Sequence, residues 1–214
     1  MPLKSAPRKQ PAKPAGEAGS VGRCRDRDLA GLVLQLADSD PAVRRWAARD
    51  LARPDAIVPL CACLPQETSP AVRQAIFDSL AVIGSAEVVA AVLPFLRSED
   101  AALRNGAVSL LQELPEPVAR HMADLLADPD PDVRILSIDI LQTLAHPDVP
   151  GWLRQLLEHE ADANVVGTAV DRLVETGSPE LAGLLADVRR RFADEPYIQF
   201  ACDLALARLG GRTA

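Results

Sequence analysis

The sequence predicts an all-α solenoid: a superhelix of about six two-helix repeats. Three observations predict it. Apolar residues are 48% of the chain while aromatics are only 3%, and Ala, Leu and Val, good helix formers in the main, supply most of the rest. A motif returns: DSDPAVRRWAARDL at 38–51, TSPAVRQAIFDSL at 68–80 and DPDPDVRILSIDILQTL at 128–144. The copies recur at about thirty residues, room for two helices and their turns, which is the signature of stacked repeats.

Each element can be justified in order. Residues 1–27 form a basic tail rich in Pro, Ala and Lys, without apolar periodicity, and such composition predicts disorder. The solenoid then spans 28–214. Within it, Val43, Val72, Leu103, Val133, Val165 and Ile198 serve as anchors, spaced 29, 31, 30, 32 and 33 residues apart. Eight residues after each anchor stands a leucine: Leu51, Leu80, Leu111, Leu141, Leu173 and Leu206. Four after stand Ala47, Ile76, Ala107, Ser137, Ala169 and Cys202, mostly small. Positions 0, +4 and +8 share one helix face, and small residues at +4 let a neighbour approach. Pro41, Pro70, Pro131 and Pro196 lie two before their anchors, where a first-turn proline fits, each preceded by Asp40, Ser69, Asp130 or Glu195. Partner helices are placed upstream, near 28–38, 55–64, 86–97, 117–127, 148–159 and 179–193. One such pair cannot cover its own apolar stripe, so each repeat becomes part of the next one's core.

These residues resemble those of HEAT-repeat proteins, and most closely the short repeats first associated with phycobilisome lyases. The resemblance rests on Asp40-Pro41-Ala42-Val43-Arg44, Ser69-Pro70-Ala71-Val72-Arg73, Asp130-Pro131-Asp132-Val133-Arg134 and the variant Asp100-Ala101-Ala102-Leu103-Arg104. It covers roughly 28–209. It implies a ladder of aspartate and arginine along the stack, with rungs Asp40/Arg44, Asp100/Arg104 and Asp130/Arg134, Arg73 lacking its acid, and Val166 and Gln199 breaking the ladder.

Charge and motifs exclude several functions. Net charge is −7, unevenly spread: residues 1–23 hold five basic groups and one acid, so +4, leaving −11 on the remainder. All three lysines (Lys4, Lys9, Lys13) are in the tail. An acidic body does not suit a nucleic-acid backbone. No apolar run is long enough to span a bilayer, and the expected location is cytoplasmic. Cys24, Cys61, Cys63 and Cys202 form no metal or disulfide framework. The single His159-Glu160 pair cannot supply the ligand set of the di-iron hydroxylases in this repeat class. No phosphate loop or nucleophile elbow is present. No catalytic residue, metal ligand or cofactor site is therefore assigned, and the alternative of a phycobilin-lyase-like enzyme or subunit rests on the resemblance alone.

The remaining reading is a scaffold that binds another protein on the concave face built from the second helices. Positions +2, +5, +6 and +9 should line it. They supply apolar Phe77, Ile135, Ile138, Phe200 and Leu204 beside an acidic row of Asp78, Asp139 and Asp171. That combination suits a basic or amphipathic segment. Position +5 has a second reading, burial between adjacent second helices. Arg45 and Arg49, one turn apart around Trp46, either grip an acidic group or form an ordinary surface pair. The basic tail, tethered beside this face, can compete with an outside partner for it. Oligomeric state is not readable from these features.

Overall fold

Residues 27–144, 146–176 and 181–211 are described in the computed structural model, and they contain helices and turns but no strand. The basic tail up to residue 26 and the first residues of the sixth upstream segment lie outside them. Repeat 1 pairs α1 (Leu29–Gln35) with α2 (Pro41–Asp50). Repeat 2 pairs α3 (Ile57–Cys63) with α4 (Pro70–Ile83). Repeat 3 pairs α5 (Ala86–Val92) with α6 (Ala101–Gln112). In repeat 4 the first helix is split into α7 (Pro115–Ala119) and α8 (Met122–Leu126), ahead of α9 (Pro131–Ile140). Repeat 5 pairs α10 (Val149–His159) with α11 (Ala163–Thr176), and repeat 6 pairs α12 (Ala182–Arg191) with α13 (Pro196–Gly211). The second helices form one layer, α2 on α4, α4 on α6, α6 on α9, α9 on α11 and α11 on α13. The first helices form another, α3 on α5, α5 on α7, α8 on α10 and α10 on α12. The molecule is an all-α solenoid.

The rows read from the sequence are its core. Every +4 residue is buried, as are five of the six anchors and five of the six +8 leucines. The exceptions, Val43 and Leu206, are half-buried and belong to the terminal repeats, which have a neighbour on one side only. Pro41, Pro70, Pro131 and Pro196 each occupy the first turn of a second helix.

The ladder is wired differently from the expectation. Asp40, Asp100 and Asp130 do not hold the arginine of their own motif. They cap their own helices, accepting from the N–H groups of Ala42, of Ala102 and Leu103, and of Asp132. Each arginine reaches back along its helix to the carbonyl six residues earlier: Arg44 to Asp38, Arg73 to Glu67, Arg104 to Ser98 and Arg134 to Asp128. Three of them also reach forward to the next repeat, Arg44 to Glu67, Arg73 to Asp100 and Arg134 to Glu160. Arg73 therefore does have its acid, supplied by repeat 3. The reason is directional. A helical side chain leans toward the helix N-terminus, so the arginine lies over the turn before its helix, while the capping carboxylate is committed to backbone N–H groups.

The best-made rungs are two bidentate clasps. Arg44 Nε and Nη2 meet Glu67 Oε2 and Oε1 at 2.8 Å each, and Arg134 Nε and Nη2 meet Glu160 at 2.7 and 2.9 Å. Glu67 and Glu160 also accept the N–H of the next cap residue, Ser69 and Asp162. Ser98 holds the corresponding place in repeat 3, and its hydroxyl accepts from Asp100 N–H but offers no carboxylate. Arg73 Nε is consequently buried without a hydrogen-bond partner among the described residues.

Two glycines set how closely second helices approach. A Cβ at Gly106 would lie 2.3 Å from the Phe77 ring, and one at Gly167 would lie 2.4 Å from the Tyr197 ring. Phe77 is buried, whereas Tyr197 is 57% exposed, with open space on its outer side, and its hydroxyl donates to Asp171. Replacing a mid-helix glycine by alanine ordinarily stabilises by about 1 kcal/mol. Gly167→Ala should show part of that gain, because an exposed ring can yield at the cost of its bond to Asp171. Gly106→Ala should instead lower stability, by about 1–2 kcal/mol, because overpacking outweighs propensity. In a Phe77→Ala background the Gly106→Ala effect should change sign. Urea midpoints of the four variants decide it, and a destabilising Gly106→Ala in both backgrounds would exclude the ring as the cause.

Candidate surface on the second-helix layer

The solvent-facing side of the second-helix layer changes character from one end to the other. On α2, Arg45 is half-buried and Arg49 exposed, and the Arg49 guanidinium lies 5.4 Å from the centre of the Trp46 ring. Neither arginine makes an ion pair among the described residues.

Between α4 and α6 lies a cavity of about 310 Å³, lined by Gln74, Phe77, Asp78, Asn105, Ser109 and Glu113 among others. Phe77 is 6% exposed: its ring fills the seat left by Gly106 and shows only an edge to this cavity. Ile138, at the same repeat position, is 1% exposed. Neither is the wet apolar anchor of the first reading. Position +5 points at the next second helix in the stack, so it is buried wherever a next helix follows. Ile135 is half-buried against the core.

The acids divide. Asp78 is exposed and accepts from the Gln74 side chain at 2.8 Å. Asp171 is exposed and accepts from the Tyr197 hydroxyl at 3.1 Å. Burial, and then the Asp171 carboxylate, push the Tyr197 phenol up. Asp139 is half-buried, and burial pushes its carboxyl up against the opposing pull of Arg172. At the far end Phe200 is 65% and Leu204 40% exposed, so both are wet as expected.

The structure thus brings Phe77 and Asp78 together in one cavity and sets Asp171 beside an aromatic ring. It keeps Arg45 and Arg49 at the opposite end of the layer from Phe200 and Leu204, and withdraws Ile138. Sequence reasoning missed Glu113 and Tyr197. Tyr197, next to the sixth anchor and one of few aromatics in the chain, carried a signal; Glu113, the residue that caps the end of α6, carried none.

A second cavity, of about 400 Å³, lies between α8 and α10, bordered by Trp152, Gln155, His159 and the Arg134–Glu160 clasp. Trp152 stacks on His146 with ring centres 5.0 Å apart. Burial pushes the Cys61 thiol up to about 11, and burial with Asp203 pushes Cys202 up to about 11, so neither favours the thiolate. Among the described residues no three His, Cys, Asp or Glu side chains converge as metal ligands would, and no helix is long and apolar enough to cross a membrane.

Two layers of helices, repeating every thirty residues and clasped from one repeat to the next, define an α-solenoid of the HEAT class. The family model for HEAT repeats matches residues 29–112, 57–129 and 118–207, and the chain belongs to that family. A curated relative, the uncharacterized phycocyanin operon protein Z of Pseudanabaena tenuis (strain PCC 7409), is 26% identical over 187 residues, covering 82% of this chain and 92% of the relative. Among solved structures, the complex of CpcE and CpcF of phycocyanin lyase from Nostoc sp. PCC7120 matches at 14% identity and a TM-score of 0.37, over 96% of this chain and 100% of that one. A designed armadillo repeat protein matches at 16% identity and a TM-score of 0.38, over 83% and 98%. These scores are too low for either structure to bear on function.

Proposed function

We propose that this chain is a non-catalytic protein-binding scaffold, acting in the cytoplasm, whose second-helix face holds a polypeptide segment. One observation carries the reading. The exposed apolar group Tyr197, Phe200 and Leu204 shares a face with acids that accept from neutral groups, Asp78 from an amide and Asp171 from a phenol. Apolar anchors flanked by uncompensated charge favour a complementary partner over bulk water. A basic or amphipathic segment supplies both groups it asks for.

A second reading, a phycobilin-lyase-like enzyme or enzyme subunit, draws on the phycocyanin operon relative alone. One experiment separates the two. The tagged protein is captured from its own cells, the eluate scanned for absorbance and its proteins identified. The scaffold reading expects a colourless eluate with a stoichiometric protein that is lost on Asp78→Lys and on Phe200→Ser. A tetrapyrrole band travelling with a chromophore protein would favour the second reading. Retention of the partner by both variants would remove the face from consideration.

A further inference from the structure

The cavity between α8 and α10 stands apart from the second-helix face, and an indole wall there meets a sheltered carboxylate with acceptor capacity to spare. We infer that this cavity binds an organic cation, a guanidinium or ammonium head carried on a short apolar stem. The site does not depend on the face proposed above, and either can fail alone.

The walls suit the stem. Ala123, Leu126 and Ala127 at the end of α8 line the cavity together with Trp152 and Leu156 of α10, around about 400 Å³. Mostly apolar walls with a few polar groups, at that volume, are those of a small-ligand site. The His146 ring stacks on Trp152, with centres 5.0 Å and planes 15° apart, and takes no part in the lining. His146 thus covers one side of the indole, and Trp152 turns its other side to the cavity. An indole face accepts an apolar stem and attracts a positive head.

The polar groups decide the sign of the head. Arg134 is spent: four of its five N–H groups go to the Glu160 carboxylate and to the carbonyls of Asp128 and Pro129. Glu160 is spent as well, because it accepts twice from Arg134 and also from the N–H groups of Ala161 and Asp162. An anion would therefore meet one cation already paired and two carboxylates. Asp128 differs from Glu160. Its side chain is 10% exposed, and among the described residues it accepts from Arg97 and from the Asp130 N–H. A carboxylate offers about four acceptor sites, so about two remain on Asp128. Arg97 is half exposed and lies outside the lining, where water weakens its hold. The last turn of α10 also borders the cavity, at Gln155 and His159, and a helix C-terminus favours positive charge.

Butylguanidinium, its neutral isostere butylurea and the anion pentanoate share one stem and differ in the head, so they test the sign directly. Each would be titrated into the isotope-labelled full chain and followed by amide and indole N–H shifts. The chain has two tryptophans, so a Trp46→Phe variant assigns the Trp152 indole signal. The expected result is saturable shifts at that indole and at residues 123–129 and 152–160, with the guanidinium bound about tenfold or more tightly than either isostere. Asp128→Asn, and Trp152→Leu, which keeps an apolar wall, should each weaken it by about tenfold. Arg97→Gln should strengthen it, by about threefold, because a competing cation leaves Asp128. A purely structural Arg97–Asp128 pair would not give these opposite signs, and Arg97→Gln alters an exposed side chain, so it tests the site even where Trp152→Leu does not fold. A capped Ala-Arg-Ala peptide separates the sources of the cation. Tighter binding than butylguanidinium assigns a basic side chain of a polypeptide, and weaker binding a free guanidine or amine. Equal binding of butylurea, preference for pentanoate, unchanged or lower affinity in Arg97→Gln, or no shifts at this cavity would each overturn the proposal.

Discussion

Truncating Leu111 or Leu141 to alanine should lower unfolding stability by about 2–5 kcal/mol. Both are buried, at 0% and 1% exposure, in the middle of the stack. The magnitude has two parts. Removing the side chain forfeits its transfer from water, and the space it leaves is walled by two neighbouring repeats that cannot both close on it. Leu206, half-buried in the last repeat, should cost visibly less, because a terminal helix can relax toward solvent. Urea melts of the three variants at equal protein concentration check the order. A Leu111→Ala midpoint equal to that of the unaltered protein would show that the +8 row is not the core.

The second large effect should come from the inter-repeat clasps. Glu67→Gln or Glu160→Gln removes the charge that holds a mostly buried guanidinium, Arg44 or Arg134. Removing one partner of such a pair leaves the other charge desolvated, and about 3 kcal/mol is the scale of that loss. The clasps also make stability depend on pH. Hydrogen bonding from Arg44, above all, holds the Glu67 carboxyl below the usual glutamate range. Burial pushes Glu160 the other way, but Arg134 and the N–H groups of Asp162 and Ala161 outweigh it, and its carboxyl is lowered as well. Both groups release their proton more readily folded than unfolded. Their stabilisation is therefore complete above the unfolded carboxyl pKa, about 4.3, and is lost as the pH falls through the folded values. The urea midpoint of the unaltered protein should be flat above about pH 5 and fall below about pH 4, whereas a Glu67→Gln, Glu160→Gln double variant should start lower and fall less steeply. An equally steep fall in the double variant would place the acid sensitivity elsewhere.

Much of this molecule is written locally. The anchors, the small +4 residues and the +8 leucines were legible because position on a helix face follows from spacing within one segment. The helix starts were legible because a cap and a first-turn proline act on their own backbone. The candidate surface was legible in part, and for the same reason: Asp78, Asp171, Phe200 and Leu204 are exposed at positions +2 and +6, off the buried face of 0, +4 and +8.

What the sequence did not determine are the relations between repeats. Whether Arg73 finds an acid depends on where repeat 3 sets Asp100, and the sequence of repeat 2 is silent on that. Phe77 and Ile138 are covered because the next helix approaches within contact of position +5, an approach that Gly106 permits at Phe77. Tyr197 becomes part of the surface only because α13 sets it over Gly167 and beside Asp171. The helical period fixes directions around one axis, but the offset and rotation between successive axes come from side chains meeting across the interface. One repeat could thus be read from its own residues. The wiring between repeats, and the face they make together, were decided by the stack.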